Sequence, residues 1–390
     1  MCAQNLSSHV VGSTGLSEAD AQRITSRVQH DLNIHFRHAS KNFPVVGFIE
    51  SLSSRCPDYG SLSTDAKIWC AEVAGTLAAR DISADWVIGL ISSAISAIRQ
   101  DCRDLSFTQK IHLEEILLRS QEILLALLPT LPSSFEGEVA EVVSEGNEIA
   151  VVRLLVDPEM QWLPGQFTSV HSHLQPGIWR DYAIATPPNE RGEVELHVQR
   201  RGVCSRLLMT SQPGDRWNLT PGQGGFVSEA SPRSYEEVYA RDANRIYVAH
   251  ATGFAPIQSL LLDQLQQGIQ RAAQVYVSAD YPGQLYPLMN LWQYAATAPW
   301  LNVTPMTRQA QDAWWVEPSP SASPPPGLPL PQLGEAGDML AAFGAWENHD
   351  IFLAGPREFV QHTRRQLRGG GTSAEQIFEL NYDASGILQA

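Results

Sequence analysis

At Phe135 the spacing of apolar residues changes from three and four to two, so one repeated architecture cannot account for the chain. Upstream, from about Ser17 to Leu128, the segments AQRITSRVQHDLNIHF, DAKIWCAEVAGTLAAR, ADWVIGLISSAISAIRQ and FTQKIHLEEILLRSQEILLALL read as amphipathic helices. STDA and SAD put Ser and Asp where two of these helices need N-terminal caps. PTLPSS, residues 129–134, interrupts helix formation twice and reads as a linker. Downstream, EGEVAEVVS, EIAVVRLLV, QFTSVHS, RDYAIA and VELHVQRR are short period-two strands separated by Gly, Pro and Asn. That is the texture of a small antiparallel barrel.

A third texture begins near Asn244. Strands RIYVAHA, AAQVYVSA and HDIFLAG alternate with helices APIQSLLLDQLQQGI, LMNLWQYAATA and REFVQHTRRQLRGGG, and QIFELNY follows. Such alternation predicts a doubly wound parallel sheet. The run EPSPSASPPPGLPLP, residues 317–331, reads as an exposed low-complexity insertion in that domain. The expected fold class is multidomain α + β. A helical domain covers 1–131, an antiparallel β-barrel 132–232 and a nucleotide-binding α/β domain 243–390.

Composition excludes several roles. A net charge of −15 disfavours nucleic acid and anionic membranes as general partners. Five scattered cysteines without a CxxC pair predict a reducing compartment and no disulfide framework. MCAQNLSSHVVGSTG has neither a basic n-region nor an apolar h-region, and no apolar run reaches bilayer length. A cytoplasmic location without a membrane span is therefore expected.

The chemistry-bearing residues cluster in turns. VAHATGFAPIQSLL is a strand, a small-residue turn and a helix, with Thr252 and Gly253 in the turn and Pro256 in the first helical turn. Such a turn offers backbone N–H groups and a helix dipole to an anion. FLAGPREF repeats the strand-to-turn pattern about a hundred residues later, with Gly355 and Pro356, at the sheet edge where open parallel sheets bind ligands. In the barrel, Arg180 and Tyr182 of RDYA share one strand face, suited to forking a phosphate and stacking on a flat ring. RRGVCSRLL sets Gly202 and Ser205 at the start of a short helix, and PGDRWNLTPGQGGF closes the barrel. Taken singly, these residues read more readily as a surface arginine, a packed tyrosine and a capping serine.

Their order carries more than any one of them. WLPGQFTSV, RDYAIATPP, GEVELHVQRRGVCSRLL, PGDRWNLTPGQGGF, ATGFAP and FLAGPREF, spanning about 135–390, resemble the ferredoxin–NADP reductase-like flavin oxidoreductases. AFGAWENHDIFLAGPREFVQHTRRQL is most similar to the reductase half of flavohemoglobins of the actinobacterial, mycobacterial type. The resemblance implies an FAD site in which Arg180 meets phosphate, Tyr182 meets the flavin and Ala183 lies near flavin N5. It further implies that Gln166, His197 and Val198 line the ring and ribityl chain, while Gly202, Cys204 and Ser205 hold the pyrophosphate. Thr252, Gly253, Ala255, Pro256, Gly355 and Pro356 would form the NAD(P)H site, with Tyr382 as the C-terminal aromatic. The implied function is hydride transfer from a nicotinamide nucleotide to FAD, then electron transfer to an unidentified acceptor, proteins among the candidates. No residue is implied as a nucleophile or general base, and no metal site is implied. The absence of a basic cluster near SADYPGQLY favours NADH. Departures from the family pattern are Ala183 in place of Ser or Thr, Ala251 in place of Gly, and AGPREF without neighbouring Cys and Met. They keep open a non-catalytic FAD-containing interaction module.

FIESLSSRCPDYGSLSTDAKIWCAEVAGTL loosely resembles a globin stretch, with Cys56 near the proximal histidine position and no histidine between His38 and His112. A shortened, haem-free globin-like remnant is expected. The alternative is a haem dioxygenase or sensor ligated by Cys56, His30, His35 or His38. His171 and His173 alternate on a strand without a third ligand and read as barrel rim. Trp314 and Trp315 read as an exposed patch or a loop anchor.

Overall fold

The chain divides into two units of structure, Met1–Ser134 and Phe135–Ala390. The computed structural model describes residues 16–35, 45–56, 62–79, 82, 84–128, 134–174, 179–226, 243–323, 326–327, 329–382 and 388–389. Most of the 129–134 linker, His38 and the side chain of His35 lie outside the described residues.

The first unit contains α1 (Glu18–His35), α2 (Val45–Ser54), α3 (Thr64–Ala79), α4 (Ala84–Gln100) and α5 (Phe107–Leu127). α5 starts where Ser106 and Gln109 form a capping box, satisfying amides that a helix start leaves free. It buries Leu113, Ile116, Leu117 and Leu124, a helical stripe. Asp20 is fully buried, where its carboxylate accepts from Arg103 N (3.1 Å), Asp104 N (3.2 Å) and Arg23 Nη1 (2.5 Å). Those bonds tie the start of α1 to the loop after α4. Ile49, Leu52, Cys56, Ala66, Cys70 and Ile116 belong to one apolar cluster.

The second unit opens with β1 (Phe135–Glu145), β2 (Ile149–Val156), β3 (Phe167–Ser172), β4 (Trp179–Ala183), β5 (Glu193–Gln199), the short α6 (Val203–Leu208) and β6 (Arg216–Leu219). They form a sheet in the order β4-β3-β6-β1-β2-β5, antiparallel throughout. β1 alternates buried and exposed residues from Phe135 to Ala140, as a half-buried strand should, until the register shifts between Val139 and Glu141. β5 departs from that rule, because Val194 through Val198 are all buried. Val194, Leu196 and Val198 face the barrel core, so its other face, with Glu195 and His197, is covered from outside.

The cover comes from the α/β half. This comprises β7 (Asn244–His250), α7 (Phe254–Gln266), β8 (Ala273–Ala279), α8 (Leu288–Thr297), β9 (Leu301–Thr307), β10 (Gln332–Leu333), α9 (Ala336–Ala342), β11 (His349–Pro356), α10 (Arg357–Gly369), β12 (Ile377–Tyr382) and β13 (Leu388–Gln389). Strand order is β10-β9-β8-β7-β11-β12-β13, parallel except for β13. Alternate residues of β7 enter opposite cores: Tyr247 and Ala249 one, Ile246 and Val248 the other. Burial on both faces explains why these strands read as continuous apolar runs. β9 was not expected from sequence, because Pro305 stands inside it. The edge strand β10 pairs only with Met306 and Thr307, which leaves no partner there for the missing Pro305 amide.

Candidate functional site

The candidate site is a seam between the barrel and the carboxyl ends of the parallel strands, within the second unit. On β4, alternation sends Tyr182 toward the barrel core and Ala183 toward the core beneath the parallel sheet. Arg180 therefore shares a face with Tyr182 and not with Ala183. Asp181, on the other face, accepts from Ser169 Oγ at 2.5 Å and locks β4 to β3. The acid between the cation and the phenol thus has a structural partner of its own. Arg180 donates from Nη1 to the Trp179 carbonyl at 2.8 Å, and among the described residues it makes no ion pair. It lies close enough to Cys204 to oppose the burial that raises that thiol. Burial, then the neighbouring Cys204, pushes the Tyr182 phenol well up, so it remains a hydrogen-bond donor at any working pH.

α6 begins at Gly202, where an added Cβ would meet nothing within 4 Å. Ser205 Oγ accepts from Arg201 N (2.9 Å) and Gly202 N (3.1 Å). The amides of Val203 and Cys204, in the first turn, have no intrahelical acceptor. Val203 is 58% exposed, so this turn opens outward. Arg201 stacks its guanidinium 4.8 Å above the Tyr382 ring, although sequence reading missed it. Thr252 Oγ1 donates to Tyr382 Oη at 3.2 Å, and the Gly253 amide also points there.

The turn after β7 is strained. Ala251 has φ +50°, a left-handed conformation that a side chain disfavours. Gly253 is demanded by packing, since a Cβ would collide with the Ala354 carbonyl of β11. Gly355 has φ +151° and sits with its would-be Cβ 3.2 Å from His250 Cβ. Pro356 is half-buried at the start of α10. Two strand-end turns thus touch each other, and each glycine serves that approach.

Other expected site residues lie elsewhere. Gln166 accepts from Leu163 N at 2.8 Å and donates to Gly224 O at 3.2 Å, closing barrel loops. Val198 is wholly inside the barrel core, and the Ala255 and Pro256 side chains are buried in α7. His197 has both ring nitrogens engaged, Nδ1 lying 2.8 Å from Tyr286 Oη and Nε2 lying 3.1 Å from Glu195 Oε1. Glu195 also accepts from Gln258 Nε2 (2.6 Å) and Arg153 Nε (2.9 Å). Burial alone would raise the Glu195 carboxyl, but bonds from His197, Arg153 and Gln258 hold it down at about 2. Barrel residues Arg153, Glu195 and His197 are thus joined to Gln258 and Tyr286 of the α/β half. The sequence signal was the polar pair inside VELHV, which reads as an exposed face until its cover is known.

Among the described residues no three or more His, Cys, Asp or Glu side chains are grouped to hold a metal. No helix among them is long and apolar enough to cross a membrane.

Residues 137–227 match the oxidoreductase FAD-binding domain family, and the second unit shares its fold with a ferredoxin NADP+ reductase. The terephthalate 1,2-dioxygenase reductase component 1 of Comamonas sp is 30% identical over 235 residues, 58% of this chain and 61% of the relative. A ferredoxin–NAD(P)(+) reductase of Metapseudomonas resinovorans is 24% identical over 274 residues, 64% of this chain and 70% of the relative. The phenol hydroxylase P5 protein of Acinetobacter pittii is 27% identical over 159 residues, 40% and 42% of the two chains. The chain spans about half the length of the curated relatives it matches. Among solved structures, a flavohemoglobin from Malassezia yamatoensis superposes with TM-score 0.67 at 14% identity, covering 91% of this chain and 94% of that one. A ferredoxin NADP+ reductase from Neisseria gonorrhoeae gives 0.51 at 17% identity, covering 64% and 98%.

FAD fits the residues present. The seam combines a cation with spare donors, first-turn amides without an intrahelical acceptor, open space at Gly202 and aromatic rings at Tyr182 and Tyr382. Haem does not fit the described candidates in the first unit. Cys56 is a buried thiol whose burial opposes the thiolate form, and His30 is exposed on α1.

Proposed function

We propose that the second unit is an NAD(P)H-dependent FAD reductase that passes electrons to a separate acceptor. The observation that carries this reading is the meeting of four sequence-distant stretches at one seam: Arg180 and Tyr182, Arg201–Ser205, Thr252–Gly253 and Tyr382. Bound FAD would supply the chemistry, taking two electrons as hydride and releasing them onward. The chain's own residues orient it. Arg180 would hold a phosphate of the cofactor by charge-assisted bonds, and the Val203 and Cys204 amides would complete an anion cradle. Tyr182 offers a ring face and a protonated hydroxyl. The Thr252–Gly253 turn and the Gly355–Pro356 turn form the edge where a dinucleotide would lie. Cys204 stays a thiol, because burial outweighs the Arg180 charge.

Reductase components of oxygenase systems among the relatives support an acceptor that is another protein. The test is an absorbance spectrum of the purified protein, followed by anaerobic addition of NADH or NADPH. Flavin bands that bleach with either nucleotide are expected. A colourless protein that also fails to take up added FAD would end this reading, and a flavin that is never reduced would leave a non-catalytic FAD module.

A further inference from the structure

His197 stands across the barrel from the end of β4. Ile184 pairs with Leu196 between β4 and β5, and Ala185 N donates to the Glu195 carbonyl at 2.8 Å. One step back along that antiparallel register puts Ala183 opposite His197. Both lie on the face away from the barrel core, which Ile184 and Leu196 fill. Ala183 packs on the cluster that holds Phe254 and Tyr286, and the His197 ring stacks on Phe254 with centroids 6.3 Å apart. Ala183 brings no polar atom to this spot, but its cross-strand neighbour is an imidazole.

That imidazole is bonded so that it can hold one proton or two. Although burial alone would raise it, bonds from His197, Arg153 and Gln258 hold the Glu195 carboxyl at about 2, so a carboxylate always stands 3.1 Å from Nε2. Tyr286 Oη, 2.8 Å from Nδ1, donates to the bare nitrogen of a neutral ring and accepts from the N–H of a charged one. Burial first, then the neighbouring Tyr382, keeps that phenol protonated. The carboxylate and the phenol therefore hold their own charge while both ring nitrogens stay bonded in either state. Imidazole is also the side chain that ordinarily changes charge between about pH 5 and 8. Among the described residues, the other charged or titratable groups facing this chain are Arg153 of β2, which also pairs with Glu141, and Tyr294 of α8. Tyr382 and Glu145 act on it through Tyr286.

We propose that His197 Nδ1 takes up a proton when the neighbouring flavin is reduced and releases it when the electrons leave. This rests on the reductase reading. Hydride brings two electrons and one proton to an uncharged ring system, which thereby gains one negative charge. A proton from solvent forms the new N–H bond at Nδ1, so the two changes together are neutral. A negative charge beside an imidazole favours its charged form, most strongly where water is excluded. His197 acts on the flavin through its charge and not by contact with the reacting atom.

Counting protons against electrons tests this in the FAD-loaded protein, with the flavin reduced electrochemically and no nucleotide present. The midpoint potential is followed between about pH 5 and 8, where an imidazole titrates. Each proton taken up with the electron pair changes the equilibrium tenfold per pH unit, about 30 mV for a two-electron couple. Two protons per pair are expected over part of that range, one on the flavin and one on His197. His197→Gln keeps a polar group that cannot be protonated, so it should lose one proton and halve the slope there. Glu195→Gln removes the charge that favours imidazolium and should move the two-proton region to lower pH. A single proton throughout in the unaltered protein overturns the inference. So does a two-proton slope that His197→Gln leaves intact, because both protons then reside on the flavin. Should His197→Gln fail to fold, an unmoved two-proton region in Glu195→Gln overturns it equally. A protein that takes up no FAD ends the reductase reading and this inference together, whereas a flavin bleached by nucleotide but reduced with one proton ends this inference alone.

Discussion

The helical unit and the reductase-like unit handle buried polarity in opposite ways. In the first, Asp20 spends its charge at once on local amides and Arg23, and the other buried polar side chains among its described residues are serines. In the second, Glu195 and His197 carry polarity across from the barrel to α7 and Tyr286, and Ala251 holds a disfavoured backbone angle. Strain and buried titratable groups persist where surrounding structure over-determines them, and they concentrate where a fold does chemistry. The contrast is the one expected if the proposed chemistry lies in the second unit.

The largest expected effect follows from breaking the Glu195 network. Glu195→Ala leaves Arg153 with Glu141 as its remaining carboxylate partner and leaves the buried Gln258 and His197 without theirs, a loss of about 3 kcal/mol at the low end of the range for a buried pair. Peptide-resolved hydrogen exchange should show protection falling across β5, α7 and Tyr286 while α1–α5 keep theirs. Uniform loss in both units would erase the distinction.

Acid should separate the units next. Glu195 sits at about 2 against an ordinary 4.5, so its stabilising charge is fully present above pH 4.5 and is lost as pH falls toward 2. At neutral pH this amounts to about 3 kcal/mol. Glu50 in α2 has the reverse sign. Burial raises it to about 7, so its own contribution to the helical unit is fully present below 4.5 and is lost as pH rises through 7. Glu50→Gln should flatten that rise, and Glu195→Gln the acid loss, in denaturation midpoints followed from pH 3 to 8. If Glu50→Gln leaves the pH profile of the helical unit unchanged, its burial has been misjudged.

The smallest effects have opposite signs in the two units. Ala251→Gly relieves a left-handed alanine and should stabilise the second unit by about 1 kcal/mol. Ala74→Gly, in the buried middle of α3, should destabilise the first by about 1 kcal/mol. Thermal scans of both variants check this, and a destabilised Ala251→Gly would mean the turn gains nothing from glycine.

Much of this architecture was legible beforehand, for physical reasons. The 84–100 helix and the β7–α7–β8 alternation follow from periodicity, which burial on one or two faces imposes directly. β9 escaped because Pro305 mimics a strand breaker, and only the shortness of β10 makes it tolerable. Ala251 could be seen to replace a family glycine, yet its positive φ needed coordinates. Arg180 and Tyr182 were readable from one strand's alternation. Glu195, Gln258 and Arg201 were not, because each acts across elements that sequence does not place side by side. Ala183 shows the same limit, since its face depends on a covering sheet.

The account rests on the seam being a flavin site anchored by Arg180, and FAD affinity of two arginine variants measures that most directly. Arg191, 80% exposed in the turn before β5, is the reference, as its side chain pairs only loosely with Glu193 at 3.5 Å. Fluorescence titration of apoprotein with FAD should show Arg180→Ala weakened by roughly ten- to a hundredfold, the value of a charge-assisted phosphate fork. Arg191→Ala should bind as the unaltered protein does. Equal FAD affinity in the two variants would contradict the assignment of Arg180 and, with it, the position of the site.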